Sequence, residues 1–520
     1  MSIKTSHGRA VGLSLLNGGS KFLAMVKTMI VAAFFGASAT LDAFWVAYSL
    51  PLLLPSLLTT VITVAFVPRF MATLEGREGP DAWAGANTLF TLIVGISMVA
   101  ATAMYVYASV LVSWMAPGLS PETHAKAVDL TRVLLPCVPL LTLSSVLSAI
   151  SNARERFLLP ALEGVLTNIT VIGGAVLFAH SLGVSALTFG VLAGFLLQAS
   201  VLIWGNRRDI ARNLRPKLAL RHPDFLGPAA HLLPLMVGSA GSILTSLINQ
   251  YFLSHGSEGA ISAMAYAAMF AYLPVEVFAH AVITAFYPAL GRHFARGELV
   301  EAGHVFADGL RFVLFLTLPS AVLLILFAEP LMALLLERGK FDATQTALTA
   351  ALTQILAFGL VFRSFAFFNY RVLHAALRPW LQVAIGLAGV ATHLVLCHFW
   401  ATAHGAQGVA AAASVSMLQS ALLSLFAAGH ILKLRWHPPL AKDLGKLFLI
   451  AAVMLAVGVS LRHWTWPVEE GSRALAALAS MGLAAVTAGA GFLSAWLLKQ
   501  PDFQWMLRGI SGKFSRRTAS

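Results

Sequence analysis

Apolar runs of about 20 residues, each long enough to cross a hydrocarbon core roughly 30 Å thick, recur along almost the whole chain. They predict membrane-spanning helices near 13–35, 43–68, 86–113, 127–151, 159–181 and 185–205. The basic stretch NRRDIARNLRPKLALRHPD (206–224) then interrupts. Eight further runs follow near 228–253, 261–288, 310–336, 345–375, 380–402, 407–432, 443–463 and 474–498, giving fourteen in all. The expected fold is an all-α polytopic membrane protein.

Polar positions inside these runs carry the candidate chemistry. In the first run, GGSKFLAMVKTMIVAAFFG (18–36) contains Lys21 and Lys27. At 100° per residue Asn17, Ser20, Lys21, Ala24, Lys27 and Thr28 fall within an arc of about 120°, opposite Leu16, Phe22, Leu23, Met25 and Val26. An ammonium at membrane depth costs about 2.5–3.5 kcal/mol even on the lenient insertion scale, so it faces a watery cavity or an ionic partner. Asp42, Glu163 and Glu276 are the acids near membrane depth that could pair with it. Buried bases outnumber them, which favours an anionic ligand over internal neutralisation. Arg363, in FGLVFRSFAFF of the tenth run, is the corresponding base in the second half. Arg132 and Arg311 lie within about one turn of their run ends and can snorkel. His280, His393 and His398 read as packing residues.

Three landmarks recur at nearly one spacing. FVPRFMATLEGRE (66–78) is echoed by FYPALGRHFARGE (286–298), the glycine of APG at Gly118 by that of ERG at Gly339, and Pro160 by Pro379, with offsets of 220, 221 and 219. A duplicated unit of six spans, an even number, sets both copies in one orientation about an axis along the membrane normal. The expected organisation is two parallel six-helix lobes, 1–205 and 225–432, around a central cavity, joined by the linker 206–224, with two further helices and a basic tail in 433–520.

Composition agrees. Of 520 residues 58% are hydrophobic and 11% charged, with a mean hydropathy of +0.80, too little polar surface for a soluble chain. If both termini are cytoplasmic, about 25 of the 35 Lys and Arg fall on that side, among them Arg207, Arg208, Arg212, Arg215, Lys217, Arg221, Lys513, Arg516 and Arg517. The formal charge of +13 then reflects topology and anionic inner-leaflet lipids, and nucleic-acid binding is not expected. Cys137 and Cys397 sit in apolar runs without metal or redox spacing. Lys21 and Lys27 would break a signal-peptide core, so the first run is expected to be retained as a span.

The stretches FFGASATLDAFWVAYSLP (34–51) with FVP (66–68), ARERFLLPA (153–161), YPALGRHFARGE (287–298), GLRFVLFLTLPSAV (309–322) and ERGKFDA (337–343) carry a resemblance to a known family. Over essentially its whole length the chain resembles the MurJ/MviN lipid II flippases of the multidrug/oligosaccharidyl-lipid/polysaccharide exporter superfamily. The resemblance implies a non-enzymatic, monomeric protein of the bacterial inner membrane that flips an undecaprenyl-diphosphate-linked glycan by alternating access. It implies no cofactor and leaves a coupling ion open. Lys21, Lys27 and Arg363 fall on basic positions that would bind the diphosphate, where Lys acts as a point charge. Asp42, Asn17, Ser20, Asn249 and Glu276 are the cavity or gating candidates. Where the family has further bases in the second and eighth spans, this chain has Pro55 or Ser56 and Met269, and two arginines of the family's first helix are lysines here. These departures predict a looser or differently posed diphosphate and favour a longer or neutral saccharide; lipid II and an exopolysaccharide repeat unit both stay open. Two other classes compete. A drug/cation antiporter of the same superfamily would line its cavity with carboxylates, whereas this first helix is basic. A membrane-embedded glycosyltransferase would need catalytic carboxylates in sizeable external loops, which are short here.

Overall fold

With no water in the hydrocarbon core to satisfy backbone N–H and C=O groups, long apolar segments must satisfy them internally. Every long apolar segment in the described residues is accordingly helical. The computed structural model describes residues 3–62, 71, 83–217, 232–433, 438–462 and 473–507, and among these no strand occurs. Apart from Met71, the landmark at 66–78 lies outside the described residues, as do Arg221, Lys513, Arg516 and Arg517.

The chain divides into two compact units, Met1–Ser262 with Arg338–Phe341, and Ala263–Glu337 with Asp342–Ser520. The first holds α1 (Ile3–Phe35), α2 (Ala39–Val61), α3 (Ala84–Val106), α4 (Ala108–Met115), α5 (Pro121–Leu134), α6 (Cys137–Ala153), α7 (Leu158–Ala161), α8 (Glu163–Leu182), α9 (Ser185–Gly205), α10 (Arg207–Asn213) and α11 (Leu232–Ser254). Helix α1 packs on α8, α8 on α9, and α2 against α5, α6 and α11. Ile62, Trp83, Ile93, Leu147, Ile150 and Leu202 form a buried cluster. The basic stretch after α9 is fastened to α3: the Asn87 amide donates to Asn213 O and accepts from Arg215 N, both at 2.9 Å.

The second unit holds α12 (Ala260–Pro274), whose first residues belong to the first unit, a π-helical turn (Val275–Ala279), α13 (His280–Arg296), α14 (Leu299–Leu336), α15 (Ala343–Ala375), α16 (Pro379–Ile431), α17 (Pro438–Arg462) and α18 (Arg473–Leu497). Helix α15 lies between α14 and α16, and α17 and α18 pack on each other and on α14. The π turn follows Pro274, which lacks the N–H that would continue the α ladder.

Twelve helices among the described residues are long and apolar enough to cross a membrane. Helix α16 is broken at Gly405, whose φ of 55° and ψ of −134° suit a residue without Cβ, and the expected spans 380–402 and 407–432 lie on either side of the break. Helix α11, 23 residues long and apolar, falls in the expected run 228–253.

Arg311 of α14 ties the C-terminal helices down. Its guanidinium meets Asp502 at 2.9 Å, Asp308 at 3.1 Å and Asp443 of α17 at 3.4 Å. Lys446 meets Asp443 at 3.1 Å. Burial pushes the Asp502 carboxyl above its usual range, and Arg311 opposes that. Arg311→Leu should leave buried carboxylates uncompensated and cost on the order of 3 kcal/mol. A lower thermal midpoint in detergent, partly restored by Asp502→Asn on the same background, is the expected result.

Candidate functional site

On α1, the face that the sequence marks as polar does not have one environment throughout. Asn17 and Lys21 are exposed, Lys27 is half-buried and Thr28 is buried. Thr28 satisfies itself through Ala24 O at 2.9 Å. Ser20 packs toward α8: its side chain occupies the space a Cβ on Gly164 would need, and its carbonyl accepts from Asn168 Nδ2 at 3.1 Å. Among the described residues Lys27 has no carboxylate within ion-pairing distance. The chain has thus brought an ammonium into an apolar helix without supplying it a counter-charge from the described part of the protein.

Asp42, the acid nearest in sequence, is engaged elsewhere. It sits in the first turn of α2 and is 4% exposed. Its carboxylate accepts from Gly259 N and Ser262 N, each at 2.8 Å, and from Ser262 Oγ at 2.6 Å. Two of these donors are free N–H groups at the start of α12 and the third is the Ser262 hydroxyl, so Asp42 caps a helix more than two hundred residues away and meets its positive dipole end. Gly259 has φ of 84°, and a Cβ there would strike Ala37 O.

Two further close approaches surround this clasp. Gly339, with φ of 61°, lies against the backbone of Ala33, and Lys340 N donates to Ala33 O at 2.8 Å. Gly118 lies against the backbone of Ser254, and its N–H donates to Ser254 Oγ at 3.1 Å. Gly118 and Gly339 are 221 residues apart, and so are Ala33 and Ser254. Both separations match the spacing of the sequence landmarks, as does the 220-residue separation of Asp42 and Ser262.

In the second unit Arg363 projects from α15. Its guanidinium lies 4.5 Å from the centroid of the Tyr272 ring and 5.8 Å from that of Phe367, a cation–π arrangement. Its Nε is buried without a hydrogen-bond partner. Tyr272 stands one turn beyond Met269 on α12, so Arg363 brings a cation to the helix that lacks its own base there. Glu276 lies in the π turn and Asn249 near the end of α11, both half-buried. Ser56 is exposed and returns its hydroxyl to Leu53 O at 2.8 Å, and Pro55 is buried within α2. His280 meets the Phe367 ring at 5.3 Å. Both cysteines are free and buried.

A protein-family model described as "Lipid II flippase MurJ" matches residues 31–470. The chain belongs to the MurJ family. Among its curated MurJ relatives, a probable lipid II flippase MurJ of Rhizobium tropici is 28% identical over 95% of each chain. The lipid II flippase MurJ of Burkholderia cenocepacia is 32% identical over 67% of this chain and 69% of its own. A solved structure described as "Lipid II flippase MurJ, inward closed conformation" superposes with a TM-score of 0.80 at 22% identity, covering 96% of this chain and 100% of that one. A solved inward-facing structure of a multidrug resistance MATE family transporter, itself of the MOP superfamily, superposes with a TM-score of 0.67 at 14% identity, over 80% of this chain and 94% of its own. These superpositions establish the fold. Within the MurJ pattern the sequence points to Lys27, Asp42 and Arg363. The donors at Gly259 and Ser262 and the tyrosine beneath Arg363 carry no sequence signal of their own, because only folding gives them partners.

Proposed function

We propose that this chain flips lipid II, an undecaprenyl-diphosphate-linked glycan precursor, across the bacterial inner membrane by alternating access. The observation that carries the reading is the uncompensated Lys27 on a membrane helix of a MurJ family member. A diphosphate leaving water needs cations to replace its hydration. Lys21 and Lys27 on α1 and Arg363 on α15 are the cations proposed for that role. Asp42 acts at the gate, by holding or releasing the start of α12. The protein carries out no bond chemistry, works as a monomer and has both termini in the cytoplasm, where its basic loops meet anionic lipids. Curated relatives named for lipid II weigh against the longer or neutral glycan that Met269 and Ser56 suggest. The cation antiporter reading is weaker, because the unpaired charge on α1 is positive.

Replacement of the sole lipid II flippase in a depletion strain tests the reading. Growth is the expected outcome; failure at normal protein levels, with rescue by Met269→Arg plus Ser56→Arg, would show that the cargo is another glycan. For the topology, a cysteine placed at Arg212 should react only from the cytoplasmic side. Labelling from outside would invert the arrangement.

A further inference from the structure

Arg363 is not the only arginine on α15 that lies over a tyrosine ring. Arg371 follows eight residues later, about 12 Å further along the helix. Its guanidinium lies 6.0 Å from the centroid of the Tyr287 ring on α13. As with Arg363, its Nε is buried without a hydrogen-bond partner. Neither arginine has a carboxylate within ion-pairing distance among the described residues. One helix therefore carries the same arrangement twice, each time with a tyrosine from the adjoining α12–α13 run.

The pairing with a ring decides what such a cation can take. A ring meets the charge but takes no conventional hydrogen bond, so the N–H edge, the planar fork that matches phosphate oxygens in pairs, is left for a ligand. A structural arginine at this depth would spend that edge on a carboxylate or on backbone carbonyls. These two keep a buried donor unused, which costs free energy unless a ligand accepts from it. The spacing of about 12 Å exceeds the reach of one diphosphate, so the two positions suit one anion at successive times.

We propose that Arg371 with Tyr287 forms a second phosphate-binding station, which the diphosphate of a polyprenyl-linked substrate occupies before passing to Arg363 with Tyr272. The inference rests on the flippase reading and adds an entry station to it. Arg371 is near the C-terminal end of α15, which faces the cytoplasm in the proposed topology, so it meets the incoming headgroup first. Tyr287 is 38% exposed, open enough for a headgroup to approach.

The shared chemistry is a lipid-borne phosphate, and an anionic phospholipid headgroup could also supply it. The test measures binding of undecaprenyl diphosphate to the full chain in nanodiscs of phosphatidylcholine, with and without phosphatidylglycerol. Arg371→Gln and Arg363→Gln should each weaken binding about tenfold, and Arg371→Lys, which keeps the charge but loses the fork, by a smaller factor. If the parent protein binds no undecaprenyl diphosphate, the flippase reading itself falls. If the parent binds and Arg363→Gln weakens binding while Arg371→Gln does not, the entry station is wrong and the flippase reading stands. If phosphatidylglycerol displaces the diphosphate from the parent but not from Arg371→Gln, the site belongs to a phospholipid headgroup. Arg371→Lys with the thermal midpoint of the parent but an affinity between those of the parent and Arg371→Gln supports the fork over a simple anchoring role. A Gln variant that loses thermal stability while its folded fraction binds as the parent does would show an anchor at the membrane surface and overturn the proposal.

Discussion

Replacing Lys27 by alanine should reduce lipid translocation in reconstituted vesicles by at least about tenfold while leaving the protein folded. A lysine at membrane depth costs about 2.5–3.5 kcal/mol to insert, and no described carboxylate offsets it. Its removal therefore relieves the helix, and the thermal midpoint should hold or rise. What is lost is the cation for a dehydrated diphosphate, worth about tenfold or more per charge-assisted hydrogen bond. Lys27→Arg should retain more activity than Lys27→Ala, because the charge persists. Equal transport by Lys27→Ala and the parent at matched protein levels would remove Lys27 from the binding site. A fall in thermal midpoint with that substitution would instead make it a structural ion-pair partner.

Asp42→Ala should act oppositely, through structure. Its carboxylate accepts three hydrogen bonds at the start of α12, and truncation leaves those buried donors unsatisfied. The loss of an N-cap is worth about 1–2 kcal/mol, and each orphaned buried donor about 1–3. A net weakening of about 2 kcal/mol corresponds to roughly thirtyfold faster amide exchange at Gly259–Ser262, together with a loss of transport. Asp42→Asn should be nearly as damaging, because all three partners are donors and an amide offers only one acceptor oxygen. Unchanged exchange in Asp42→Ala would mean that the clasp is held by the Gly118 and Gly339 contacts without it.

Much of the site is visible in the sequence because its signal is local. Lys27 stands out by periodicity alone: an ammonium among Met25, Val26, Met29 and Ile30 needs no structure to look anomalous. Arg363 is visible for the same reason, between Phe362 and Phe365. Arg371 is not, because near the end of its apolar run it reads as one more cytoplasmic base, and only its seat over Tyr287 sets it apart. Arg311 reads as a snorkelling residue at a span end, yet it gathers three aspartates, two of which lie more than 130 residues away.

The sequence by itself determined the membrane class and the helical architecture, since each follows from short-range pattern: runs of apolar residues and the 3.6-residue period. It also determined that the first helix is basic where lipid would forbid it. Only the tertiary structure decided what Asp42 does. Whether a buried carboxylate faces a cavity, pairs with Lys27 or caps a distant helix depends on which donors come within 3 Å of it, and those at Gly259 and Ser262 arrive from 217 and 220 residues further along the chain. Hydrophobicity selects which segments are buried whatever their neighbours, whereas a hydrogen bond acts over a single contact and is fixed only when the fold has chosen its partner.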